Sequence, residues 1–220
     1  MKITLSPSQL RCFEEIDRLA TPGTIMILGG AGGSGRSTVL RALAQHREGE
    51  LLTMRQFMEW QRDTHPLRLE ETLEWLLTHH LSQSETVLFD DLDRLLEVMR
   101  SANYPRQEYV DAALAEIPTQ IADEKRTFIC VCSIQPPAPL LIAHKSNIRS
   151  FTVEDYEFFF KTFLGDCVSS LNSSEIYSAA DHLNARQIKS LSSLMKAEQV
   201  FSTEAVIRML SDPRLFIEAG

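Results

Sequence analysis

Residues 29–38 read GGAGGSGRST, and this stretch restricts the fold more than any other. The apolar run TIMIL (24–28) enters it and STVLRALAQH (37–46), with helical patterning, leaves it. A strand that ends in a glycine turn and reopens as a helix gathers backbone N–H groups around an anion, with the positive end of the helix dipole behind them. Glycine is required because the turn needs φ above zero and the backbone must come close to its ligand. The pattern is G-x-x-x-x-G-K-[ST], with Gly30 and Gly35 at the fixed glycines and Ser37 at the hydroxyl position. Gly30, Ala31, Gly32, Gly33, Ser34, Gly35, Arg36, Ser37 and Thr38 are therefore the candidate cradle for a polyphosphate. Ser37 is placed to hold a magnesium ion carried by the phosphates.

Arg36 stands where lysine is expected. Arginine keeps the charge and grips phosphate bidentately, but its planar fork is larger than a compact ammonium. Binding survives such a change more readily than turnover does, since a displacement of about 1 Å near the chemistry costs roughly a hundredfold in rate.

A second element supplies carboxylates. In VLFDDLDRL (87–95) an apolar strand ends in Asp90 and Asp91, at the C-terminal edge where ligands of parallel sheets sit. Asp90 is the second candidate magnesium ligand, and Asp91 occupies the place of the group that polarises an attacking water. Asp93 reads as a helix-start residue.

The glycine loop and the acidic strand end together resemble the AAA+ ATPases, a P-loop family that pairs such a loop with a strand ending Asp-Glu. Here the pair is Asp90-Asp91, so the second carboxylate is one methylene short, a second departure beside Arg36. The resemblance implies an α/β fold: a three-layer αβα core with a parallel five-stranded sheet (residues 1–153) and a small C-terminal all-α lid (154–220). It implies ATP or ADP with Mg2+ as cofactors. Further site residues follow from it. Ser133, or Gln135 just beyond, ends the fourth strand where the family orients water. Arg149, or Lys145, lies where an arginine reaching a neighbouring subunit's site is expected, shortly before a fifth strand at RSFTV. Arg186 in HLNARQIKSL opens a lid helix capped by Asn184 and would fold over the γ-phosphate. The family's aromatic pore loop has no clean match; Trp60 is nearest and reads instead as a buried core tryptophan.

Composition narrows the remaining choices. At 220 residues there is room for one α/β domain and a small appendage. A net charge of −8 disfavours broad nucleic-acid binding. No apolar run approaches the roughly 18 residues of a membrane span and the start lacks a secretory pattern, so the expected setting is cytoplasmic. Cys12, Cys130, Cys132 and Cys167 lack metal spacing and read as packing residues. No N-K-x-D guanine motif is present, and an arginine-rich kinase lid between the strands is missing. The expected function is an ATP-binding AAA+ module with slow hydrolysis, working in a homo- or hetero-oligomeric assembly on a protein client. The alternative is a degenerate module that binds nucleotide, or serves only architecturally, without significant turnover. The leading helix has no domain before it, which fits a segment of a longer protein as well as a complete one.

Overall fold

The computed structural model describes residues 3–101, 103–133, 135–165 and 170–210; Cys167 lies outside them. Five strands form one parallel sheet: β1 (Thr24–Gly30), β2 (Glu50–Leu52), β3 (Thr86–Phe89), β4 (Thr127–Val131) and β5 (His144–Ile148), in the order β2-β3-β4-β1-β5. β4 separates β1 from β3, with Leu28 level with Val131 and Phe89 level with Cys130. Consequently the chain leaving β4 emerges between the ends of β1 and β3.

β1 and β4 are covered on both faces, so their side chains are buried in unbroken runs rather than alternately. Both edges are blunted. β2 has three residues, and β5 exposes His144, Lys145 and Asn147 while burying only Ser146 and Ile148. This polar alternation is why the expected fifth strand at RSFTV is displaced. The strand lies at His144–Ile148, and Thr152 and Asp155 instead form the start of a helix.

The helices follow the apolar patterning. α1 (Pro7–Leu19) buries Cys12 and Ile16, one turn apart, with Ala20 buried just beyond its end, and exposes Leu10. α2 (Arg36–His46) follows the loop. Thr53 and Gln56 cap α3 (Met54–Gln61) reciprocally, so the second strand ends before Met54. α4 (Leu69–Gln83) buries Leu73, Leu76, Leu77 and Leu81. Trp60 corrects its expectation: Phe57 takes the core face of α3, and Trp60 is 41% exposed. It packs on Trp75 with ring centroids 4.3 Å apart, and Trp75 stacks on His79.

α5 (Leu92–Met99), α6 (Val110–Ala113) and α7 (Ile117–Asp123) fill the segment between β3 and β4. Beyond the sheet come only helices among the described residues: α8 (Val153–Leu164), α9 (Ser173–Ala179), α10 (Ala185–Glu198) and α11 (Thr203–Met209). By packing, one unit comprises mainly Cys12–Gly30 and Arg36–Asn147, and the other groups Ala31–Gly35 and the start of α1 with the helices after Ile148. Cys12, Cys130 and Cys132 carry buried thiols, and burial pushes those of Cys12 and Cys130 up.

Candidate functional site

In the sheet unit, the first turn of α2 meets the end of β3. Ser37 donates its hydroxyl to Asp90 Oδ1 at 3.0 Å, joining positions 53 residues apart. The Asp91 N–H also donates to that oxygen, at 3.1 Å. Burial raises the Asp90 carboxyl above its ordinary range, the neighbouring Asp91 charge adds to this, and the Ser37 hydroxyl opposes it. A carboxylate in that position is better accommodated beside a cation. Magnesium keeps several waters and takes only one or two protein ligands alongside phosphate oxygens. The Ser37–Asp90 pair fits that demand, and among the described residues no cluster of three or more His, Cys, Asp or Glu side chains competes for a metal.

Asp91 adopts a left-handed backbone (φ 59°) just before α5, and its carboxylate lies 3.6 Å from Arg94. Arg36 does not project alone from the loop. Its guanidinium donates to Asp93 Oδ2 at 3.0 Å, and the Ser133 hydroxyl donates to the same oxygen. Asp93 is therefore more than a helix-start residue: it is 4% exposed and ties the loop's basic residue to the end of β4. Sequence reasoning missed this role. The only signal was a third acidic residue in the first turn of the helix, and its partners are 57 and 40 residues away. The main-chain carbonyl of Gln135, the other candidate at this strand end, accepts from Arg100 at 2.7 Å.

In the helical unit, the glycine turn is held from two sides. Gln9, buried on α1, accepts from the Ser6 N–H and donates to the Ser34 carbonyl at 2.9 Å. Across the turn, the Arg186 N–H donates to the Gly33 carbonyl at 3.3 Å. Gly33 (φ +76°) has no room for a side chain: a Cβ there would lie 2.7 Å from the Asn184 side chain. Asn184 caps α10 as expected, exchanging bonds with Gln187 at 2.9 Å in both directions. Gly30 and Gly35 also have positive φ. A Cβ at Gly32 would meet nothing within 4 Å. The Ser34 hydroxyl is buried without a partner among the described residues, a cost that a ligand oxygen would relieve. The turn thus has the backbone freedom and the unsatisfied donor that a phosphate group needs.

The Arg186 side chain is exposed on the first turn of α10, in the same unit as the turn. Arg149 is exposed and makes no ion pair among the described residues, but it follows β5 rather than preceding a strand. Lys145 is exposed within β5 itself.

No protein-family model matches the sequence, and no curated protein matches it. Solved structures do resemble the chain. Domain III of the Thermotoga maritima replication initiation protein DnaA aligns with a TM-score of 0.59 at 15% identity, covering 94% of this chain and 92% of that one. The chain shares the α/β fold of that domain, with its five-stranded parallel sheet. The replication initiator DnaA bound to AMPPCP and single-stranded DNA gives 0.59 at 14% identity, covering 95% of this chain and 66% of that one. C. elegans PCH-2 gives 0.53 at 12%, with coverages of 91% and 64%. The present chain therefore spans just under two thirds of these two longer chains.

Proposed function

We propose that this chain is a nucleotide-binding AAA+ module taking ATP or ADP with Mg2+. Residues 30–38 supply the phosphate cradle, Ser37 and Asp90 hold the metal, and Asp91 orients water. Arg186 assists at the terminal phosphate, Ser133 joins it only when released from Asp93, and Arg149 serves a neighbouring site in an assembly. The bound group would supply the electrophilic phosphorus and a cation to spread its charge. The observation that carries the reading is the 3.0 Å contact between Ser37 and Asp90, side chains from two separate motifs meeting at one point. Likeness to a structure bound to AMPPCP supports the ligand class.

Hydrolysis is slow in this reading. Asp91 is one methylene shorter than glutamate and lies near Arg94, and Arg36 is engaged by Asp93. The same ion pair favours the alternative of a module that binds nucleotide to stabilise an assembly with no significant turnover. A protein partner and a cytoplasmic setting complete the proposal. Among the described residues no helix is long and apolar enough to cross a membrane, and the charge of −8 runs against general DNA binding.

The test is to quantify adenine nucleotide and magnesium released from the purified, denatured chain, and to repeat it with Ser37→Ala combined with Asp90→Ala after incubation with Mg-ATP. Wild type should carry nucleotide and metal and the double variant neither. Equal loading of both proteins would discredit the site assignment.

A further inference from the structure

The loop's basic residue is committed before any ligand arrives. Arg36 and Asp93 are paired at 3.0 Å with side chains 17% and 6% exposed, so solvent and salt screen the pair little. The Ser133 hydroxyl donates to the same Asp93 oxygen, and the Arg94 N–H donates to the other at 3.0 Å. A phosphate oxygen seeking Arg36 must compete with a carboxylate that already has the shielded position. Ser133 has a single proton to donate, and it is spent on the same acceptor.

We propose that Asp93 is the positioning residue that sets the site's phosphate specificity. By holding Arg36 and Ser133 at the end of β3, it withholds both from the terminal phosphate, so the site distinguishes nucleoside diphosphate from triphosphate only weakly. The inference rests on the nucleotide reading above. It also explains why an arginine is tolerated at position 36: the fork that is too large for the lysine's place is drawn aside by a matched carboxylate.

Titration calorimetry of the full chain with Mg-ADP and with a magnesium-bound non-hydrolysable ATP analogue tests it, using wild type, Asp93→Asn, Arg36→Met and the double variant. Ligand-free melting is recorded for each. Wild type should bind the two nucleotides within about threefold of each other. Asp93→Asn, which keeps an acceptor oxygen for Ser133, should tighten the analogue at least tenfold while ADP changes less than threefold. That gain should vanish in the double variant. Arg36→Met alone should change both affinities by the same factor, which keeps the proposal testable even if Asp93→Asn does not fold. An unchanged ratio in Asp93→Asn, a gain that persists without Arg36, an equal weakening of both nucleotides by Asp93→Asn, or a selective loss of the analogue in Arg36→Met would overturn the proposal. Failure of wild type to bind either nucleotide would instead remove the nucleotide reading, and this inference with it.

Discussion

At Gly32 and Gly33, adjacent residues of the same turn face opposite constraints. A methyl group at Gly33 would press within 2.7 Å of Asn184 on a backbone at φ +76°, whereas at Gly32 it meets open space. Gly33→Ala is expected to cost about 1–3 kcal/mol, and Gly32→Ala to stay within about 0.5 kcal/mol. Denaturant melts of both variants check this, and equal losses would contradict the geometry. The glycines, Ser37 and Asp90 were legible as motifs because their spacing is local to a strand, a turn and a helix. Asp93 was not. Its role depends on β4 lying between β1 and β3, and no short-range pattern reports strand order. Trp60 misled for a different reason: its hydrophobicity argues for the interior, but an eight-residue helix has one inward face, and Phe57 and Gln61 already occupy it.

Elements are joined here by polar side chains that cap one helix while reaching another. Asp155, fully buried in the first turn of α8, accepts from the Ser8 N–H at 2.8 Å, the Ser8 hydroxyl at 2.7 Å and the Thr152 N–H at 2.8 Å. Burial works to raise its carboxyl, but these donors outweigh burial and hold it below the ordinary carboxylate range. A depressed folded-state value means the contribution is present above the unfolded pKa of about 3.9 and is lost as pH falls through the lower folded value. Asp155→Ala strands several buried donors and should cost about 3 kcal/mol at neutral pH. Melts from pH 7 down to pH 2 should show wild type and variant converging at the acid end; parallel curves would refute the assignment. Next to Ser8 on the same helix, Gln9 holds the Ser34 carbonyl. Gln9→Ala should therefore cost about 1–3 kcal/mol of stability and weaken nucleotide binding about tenfold below the melting range, and unchanged affinity would show that the loop needs no such support. S-x-x-Q at Ser6 to Gln9 is a local capping pattern of which the structure keeps the Gln9 half, whereas Gln9's bond to a carbonyl 25 residues away leaves no mark in the sequence. The fifth strand escaped for want of an apolar run, since an edge strand needs only one buried face.

For the whole molecule, the order β2-β3-β4-β1-β5 brings three strand ends together, and with them Ser37, Asp90, Asp93 and Ser133. Alternation of strands and helices followed by helices alone was enough to anticipate this class of architecture. Assembly is where the proposal reaches furthest. If Arg149 serves a neighbouring subunit, sedimentation should show a heavier species with Mg-ATP than without, and Arg149→Ala should abolish the difference. An identical profile in all cases would refute that role for Arg149. The proposed joining of Ser37 and Asp90 around one magnesium-bound polyphosphate is checked by equilibrium binding of a fluorescent ATP analogue with magnesium and with chelator. Binding should saturate at one site per chain and be at least tenfold tighter with magnesium. Absence of saturable binding, or equal affinity under the two conditions, would contradict it.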